Sequence, residues 1–238
     1  MNDTWMSESF DRNYLSLLND SIVLLEMAQT RENILQEETL ARASAVSSML
    51  IPEVVANICI ESLSLENSIY HEIDKLSTIG KFDYYLRVKH RGRKIDRGQR
   101  PIQELQELKK IRDMYVHPKK AKVTWTNYDD DSADGESEKT DLLKITKNMN
   151  MWYVEDAKII MSSTHSFLCY FFKDLCKYSS KRVANLIFSV VEIPGEEGGA
   201  IPLMYESTKT LLKQWSVDIS YVGVYCTRIR KRRTKFST

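Results

Sequence analysis

The sequence predicts a mainly α protein, an up-and-down helical bundle followed by a small α+β or irregular C-terminal appendage. Apolar residues recur at steps of three and four along most of residues 1–180, which is the periodicity of helices with one buried face. The 238 residues contain only 8 Gly and 5 Pro, so long helices are favoured over a turn-rich β-sandwich. A chain of this length can also bury a sizeable core. We therefore expect a bundle over residues 1–180 and an appendage with a basic tail over residues 181–238.

The first two helices are expected at Ser7–Gln29 and Thr30–Leu65, each with an apolar stripe that belongs to the core. The second contains Pro52, which is expected to kink the helix or split it in two, because proline removes a backbone donor and clashes one turn back. Small residues before Pro52 would allow another helix to approach closely.

Three further segments follow along the bundle. Glu66–Gly80 predicts a short helix that ends at Gly80. Arg87–Arg100 is basic and has no apolar stripe, so it predicts an exposed loop; its side chains suit phosphate contacts, and we identify Arg91, Arg93 and Lys94 as RNA-binding candidates. Trp152–Tyr178 predicts a helix that is apolar over a wide arc, and hence deeply buried or part of a dimer interface.

The segment from Thr126 to Thr140 is polar and acidic, and it predicts a flexible loop. Its aspartates do not meet the calcium-loop pattern in register, so no metal site is predicted. One hypothesis is that this acidic loop mimics RNA and restrains a neighbouring basic site. In the appendage, a helix is expected at Ser207–Trp215 and a strand at Val217–Thr227.

Charge and cysteine content bear on partners and compartment. The formal net charge is +1 at pH 7, which gives no general attraction to nucleic acid. The basic runs Lys89–Arg100 and Arg228–Lys235 are either polyanion-binding surfaces or solvated segments. The cysteines form no C-x-x-C pair and lie in apolar stretches, as buried thiols of a reducing compartment do. With no signal-peptide pattern and no apolar run judged long enough to span a bilayer, we expect a cytoplasmic protein.

The stretch Pro101–Lys120 predicts a helix that ends on two reactive side chains. Pro101 suits a first helical turn, and Pro118 stops the helix and pushes His117 away from helical dihedrals. Residues five apart on an ideal helix lie about 140° apart around the axis. The break therefore lets His117 swing towards Arg112, so that a guanidinium and an imidazole line one crevice. That pair suits phosphodiester chemistry.

Residues 112–117, Arg-Asp-Met-Tyr-Val-His, resemble the R-polar-x-x-x-H motif of the HEPN superfamily, with Asp113 in the polar position. The long second helix, with Glu53 or Glu61 towards its end, also resembles the second helix of these bundles. The resemblance covers residues 1–180. It implies a HEPN-like bundle, a symmetric homodimer whose motifs face each other, and metal-independent RNA cleavage without a cofactor. Arg112, Asp113 and His117 are then the catalytic candidates.

Two positions depart from the pattern of that family. Asn or His is more usual where this chain has Asp113, whose carboxylate can orient Arg112 or His117 but adds negative charge where RNA phosphates must come. Members paired with a nucleotidyltransferase antitoxin carry Tyr two residues after the His, where this chain has Lys119. Modification of that tyrosine therefore cannot be carried over. Lys119 and Lys120 extend the basic surface and are further RNA-binding candidates.

Other interpretations stay open at this point. Arg112 can instead pair with Asp113 or Glu107, while His117 caps the helix end. His90 is either a second acid or base or an ordinary surface histidine, and His165 is expected in the core or an interface. The chain is thus an endoribonuclease of the toxin or antiviral-defence type, a catalytically inactive HEPN-like module that binds RNA or a protein such as an antitoxin, or a structural scaffold. It has no glycine-rich phosphate loop.

Overall fold

The computed structural model describes residues 8–10, 12–117, 120, 122–128, 133–188, 190–192 and 203–227. These residues are mainly helical, which confirms the predicted class. The α-helices are α1 (Tyr14–Gln29), α2 (Ile34–Glu61), α3 (Asn67–Asp74), α4 (Thr78–Lys89), α5 (Arg100–Val116), α6 (Val154–Cys169), α7 (Ser180–Ile187) and α8 (Glu206–Gln214). The strands are β1 (Glu8–Phe10), β2 (Val123–Asn127), β3 (Ala133–Ser137), β4 (Val190–Glu192), β5 (Leu203–Tyr205) and β6 (Tyr225–Thr227).

Helix α2 is the central element of the bundle, with α1, α4 and α6 as its main neighbours. It runs unbroken through Pro52, so of the two predicted outcomes, a kink or a split, the split is wrong. Proline leaves the carbonyl one turn earlier without its usual N–H donor, and that carbonyl, of Ser48, lies 3.3 Å from the Thr164 hydroxyl of α6, which donates to it. A tertiary hydrogen bond thus replaces the one that the proline removes.

Helix α2 also corrects an expectation about membranes. By length and composition alone it is long and apolar enough to cross a bilayer, so the expectation that the sequence contains no such run is wrong. However, 61% of its most apolar window is buried inside the fold. A core helix meets the same criteria, because burial against protein and burial in lipid favour the same side chains.

The aromatic centre of the core lies between α4 and α6. The Phe82 ring centroid is 5.0 Å from that of Phe167 and 4.5 Å from that of Phe171. The predicted helix Trp152–Tyr178 consists of α6 and a π-helical turn, Tyr170–Leu175, and its phenylalanines are fully buried. The deep burial expected from its wide apolar arc is therefore observed.

The end of α3 differs from the prediction. Gly80 does not stop a helix but lies in the first turn of α4, where its N–H donates to the Ser77 hydroxyl at 3.2 Å. Helix α3 already ends at Asp74. A glycine after an apolar stripe is typical of a helix C-terminus, but here Ser77 is the N-cap of α4 and separates the two helices.

The acidic segment contains regular structure. Strands β2 and β3 pair antiparallel, with Trp125 opposite Gly135, so the predicted loop Thr126–Thr140 begins inside one strand and includes the other. A Cβ atom on Gly135 would lie 3.0 Å from the Trp125 ring, so the ring lies across this glycine. Residues 129–132, and with them three aspartates of this segment, fall outside the described residues.

The described part of the C-terminal region packs on the bundle. The Tyr221 hydroxyl is fully buried and lies 2.8 Å from both the Tyr14 hydroxyl and Nδ1 of His165. Helix α8 matches the predicted helix, but only Tyr225–Thr227 of the predicted strand is a strand, paired in parallel with β5. The boundary at residue 180 stays a prediction, and the basic tail Arg228–Lys235 lies outside the described residues.

Candidate active site

Helix α5 carries the candidate site, and local features of its sequence define where it begins and ends. Pro101 lies in its first turn, as predicted, and its apolar stripe is buried in the core from Ile102 to Ile111, whereas Tyr115, which was expected on the same buried face, is exposed. The helix ends at Val116, and His117 is the C-cap residue with φ −122° and ψ 71°. The N–H of His117 still donates to the Asp113 carbonyl at 2.9 Å. The predicted change of backbone direction at His117 is therefore present, and its side chain is exposed; Pro118 lies outside the described residues.

Arg112 is held by carboxylates on two sides. Its side chain is 21% exposed, and its Nη2 and Nε atoms donate to Oδ1 of Asp113 at 2.9 and 3.3 Å. Its Nη1 atom lies 3.8 Å from Oε2 of Glu53 on α2. Asp113 thus orients Arg112, as one of the interpretations of the sequence expected, and the guanidinium stays at the edge of the solvent.

Glu107, the other predicted partner of Arg112, serves a different purpose. Its carboxylate accepts the N–H groups of Leu142 at 2.7 Å and Leu143 at 3.0 Å. Burial acts to raise the pKa of Glu107, but these N–H donors outweigh burial and lower it. Glu107 therefore fixes the segment that leads to α6.

Asp113 carries a full negative charge at the site. Its Oδ2 atom accepts from Nζ of Lys109 at 2.7 Å. Burial acts to raise the pKa of Asp113, but the hydrogen bonds from Lys109 and Arg112 outweigh burial and lower it. The carboxylate is therefore ionised at neutral pH.

A buried lysine lies behind Glu53. Lys81 of α4 is only 4% exposed, and its Nζ atom lies 3.2 Å from Oε1 of Glu53 and 2.8 Å from Oδ1 of Asp74. Asn57 accepts a third bond from it at 2.7 Å, while the Thr78 hydroxyl donates to Oε2 of Glu53. From the sequence, Glu53 is indicated only through the HEPN resemblance, and Lys81 is not among the predicted site residues. The available signal was a lysine on the apolar stripe of α4, beside Phe82.

The ionic contacts form one chain of alternating charge through the site. Its members are Asp74, Lys81, Glu53, Arg112, Asp113 and Lys109. Three carboxylates meet three cations, so their formal charges cancel. A polyanion at this site therefore depends on rearranged pairs or on further basic groups.

The predicted RNA-binding residues lie in two places. Lys120 is exposed and close to His117 in the chain, and Lys119 lies outside the described residues. Arg91, Arg93 and Lys94 are exposed in the segment that joins α4 to α5, and Arg93 donates to the Leu175 carbonyl. These three precede the start of α5, while His117 follows its end. The 17 residues of α5, at a helical rise of about 1.5 Å each, make the helix roughly 25 Å long, so the two groups adjoin opposite ends of it.

The other candidate histidines are not at this site. His90 precedes α5, its ring packs 5.3 Å from the Tyr178 ring, and burial, reinforced by Arg93, lowers its pKa. His165 is fully buried, and burial lowers its pKa to about 4. His165 is therefore the core histidine that its apolar context predicted.

Comparisons with protein-family models, with curated proteins and with solved structures find no match. What the site can do is therefore argued from its side chains. An exposed imidazole can exchange a proton with a substrate hydroxyl, and a fixed guanidinium can donate two hydrogen bonds to a phosphate. Among the described residues there is no cluster of three or more His, Cys, Asp or Glu side chains that could hold a metal ion.

Proposed function

We propose that the chain is a metal-independent endoribonuclease of the HEPN type, a cytoplasmic toxin or antiviral-defence enzyme. The observation that carries the proposal is the end of α5, where a carboxylate-held guanidinium is followed by an exposed imidazole on non-helical backbone. The residue types fit a reaction that needs proton transfer and stabilisation of negative charge, and no cofactor.

In the proposed reaction, His117 takes the proton of a ribose 2′-hydroxyl, and the 2′-oxygen attacks the adjacent phosphorus. Arg112 stabilises the crowded phosphorane with two hydrogen bonds. The bond to the 5′-oxygen then breaks, and an acid protonates that oxygen. The products are a 2′,3′-cyclic phosphate and a 5′-hydroxyl.

A homodimer supplies the second proton-transfer group. Of the four histidines in the sequence, only His117 follows the end of α5, five positions after Arg112 in the chain. A twofold interface brings identical patches together, so the His117 of the partner subunit is the proposed acid. An antitoxin or another regulatory protein is the partner that would restrain such an enzyme.

The test is RNA cleavage in EDTA by the full chain and by His117→Ala. Single-residue loss of an acid or base lowers such rates by ~10²–10⁴, so we expect a fall of at least ~100-fold and a cyclic phosphate product from the wild type. His71→Ala is the matched control, since His71 is an exposed histidine on α3. Equal cleavage by wild type and His117→Ala would refute the proposal.

The alternative is a catalytically inactive HEPN-like module that binds RNA or a protein and dimerises. The cancelled charges around Arg112 favour it, because Asp113 occupies hydrogen-bond donors that a phosphate would need. This module predicts a dimer in solution that binds RNA in EDTA and leaves it intact. Cleavage that depends on His117 excludes this alternative, and a monomeric mass argues against both functions in the form proposed.

A further inference from the structure

The ammonium group of Lys81 is fully committed to neighbouring acceptors. It has three N–H donors, and three acceptors lie within reach: Glu53 at 3.2 Å, Asp74 at 2.8 Å and Asn57 at 2.7 Å. Burying a charge is strongly unfavourable unless it is paired and hydrogen-bonded. With 4% of its side chain exposed, Lys81 must therefore keep these partners, and its position fixes theirs.

The carboxylate of Glu53 is turned towards Lys81 rather than towards Arg112. Its Oε1 atom accepts from Lys81, and its Oε2 atom accepts from the Thr78 hydroxyl. The same Oε2 atom lies 3.8 Å from Nη1 of Arg112, which is an ionic contact but too long for a hydrogen bond. Two groups of α4 thus take the hydrogen bonds that Glu53 would otherwise accept from the arginine.

We propose that Lys81 is a positioning residue of the Arg112 site, which holds the Glu53 carboxylate back so that one edge of the guanidinium stays available to an RNA phosphate. The inference rests on the proposed function and adds to it a residue that never touches the substrate. Without Lys81, Glu53 would be a half-buried carboxylate whose nearest remaining cation is Arg112. It would then pair with Arg112 through direct hydrogen bonds and compete with the phosphorane of the transition state, which lowers kcat more than it raises KM.

The first measurement is the kinetics of Lys81→Met. Loss of a direct transition-state donor lowers kcat by ~10²–10³-fold. In Lys81→Met, Arg112 is still present but part of its hydrogen bonding goes to Glu53. We therefore expect a smaller fall, about tenfold in kcat, with KM nearly unchanged. Lys75→Met is the matched control, because Lys75 forms an exposed pair with Glu72 at 2.6 Å and should leave kcat unchanged. An unchanged kcat in folded Lys81→Met would overturn the inference.

The second measurement separates positioning from a merely structural role. If Lys81 acts only by restraining Glu53, it becomes dispensable once Glu53 is neutral. The double variant Lys81→Met/Glu53→Gln should therefore match Glu53→Gln alone in kcat. It also removes the charge of Lys81 together with that of a partner, which proteins tolerate better than the loss of one partner alone, so it keeps the test valid if Lys81→Met does not fold. A further tenfold loss in the double variant contradicts the inference.

A third measurement does not depend on catalysis. The Nε–H resonance of Arg112, assigned by its loss in Arg112→Lys, should shift in Lys81→Met as Glu53 moves onto the guanidinium, and return towards its position when Glu53→Gln is added. If the wild type cleaves no RNA but this shift occurs, the proposed function fails and the positioning relationship stands. If the wild type cleaves RNA and neither the shift nor the kcat change occurs, only the inference about Lys81 fails.

Discussion

Nη1 of Arg112 lies 3.8 Å from Oε2 of Glu53, although the two residues are 59 positions apart in the chain. The contact joins α5 to α2 beside Pro52, and it places a second carboxylate behind the guanidinium that Asp113 already holds. The candidate site therefore contains an arginine whose charge is balanced before any substrate arrives. Because of this balance, removing the charge of Asp113 should change how the site binds an anion.

Replacing Asp113 with Asn should strengthen RNA binding. The change removes one negative charge beside Arg112 and keeps a side-chain oxygen that can accept a hydrogen bond. Unit charges about 4 Å apart interact by about 1 kcal/mol in water, which corresponds to a roughly fivefold lower Kd. The measurement is a titration of labelled single-stranded RNA in EDTA at several salt concentrations, since an electrostatic gain shrinks as salt rises.

The matched control for that titration is Asp83→Asn. Asp83 also pairs with an arginine of its own helix, Arg87, at 2.8 Å, but it lies on α4 and not at the end of α5. Its replacement should leave the Kd within twofold. Tighter binding by Asp83→Asn of the same size would mean that overall charge, and not this site, governs affinity.

The parts of the site that the sequence predicts correctly depend on local signals. A proline at the start, an apolar stripe and a proline after His117 define α5 and its exit, because each acts on the backbone within one or two turns. The partners of Arg112 are partly local as well, since Asp113 is its neighbour in the chain. Such features need no knowledge of the rest of the fold.

The parts that the sequence does not reveal depend on distant contacts. Lys81 reaches Glu53 across 28 positions, and nothing in either local pattern predicts the pair. Trp125 and Gly135 face each other across a hairpin in an acidic stretch whose composition is typical of a loop. Strand formation there depends on the cross-strand partner, which the local sequence does not show. Pro52 is tolerated within one helix because Thr164, more than a hundred positions later, donates to the Ser48 carbonyl.

Replacing Thr164 with Val should destabilise the fold, because it leaves the buried Ser48 carbonyl without its donor at the proline. An unpaired buried polar group costs about 1–3 kcal/mol. In a Pro52→Ala background the alanine N–H can bond to that carbonyl, so the same substitution should cost less than half as much. Urea denaturation of the two single variants and the double variant measures the difference, and equal losses in both backgrounds would rule out this role of Thr164.

The buried histidine His165 should make stability fall in mild acid. Its folded-state pKa is about 4, lowered by burial from an ordinary value of 6.5. Between these values the unfolded chain binds a proton that the folded chain does not, so unfolding becomes more favourable as pH falls. The full contribution is present above pH 6.5 and is lost progressively towards pH 4.

The expected size of this loss follows from the pKa difference. A gap of 2.5 units, from 6.5 to 4, at about 1.4 kcal/mol per unit gives roughly 3 kcal/mol. His165→Gln keeps a polar partner for the Tyr221 hydroxyl, which lies 2.8 Å from Nδ1 of His165, but removes the titrating ring. The free energy of unfolding of this variant should therefore change less with pH than that of the wild type over the same interval. His71→Gln, at an exposed histidine, should keep the wild-type slope, and a His165→Gln slope as steep as the wild type's would assign the acid sensitivity to other groups.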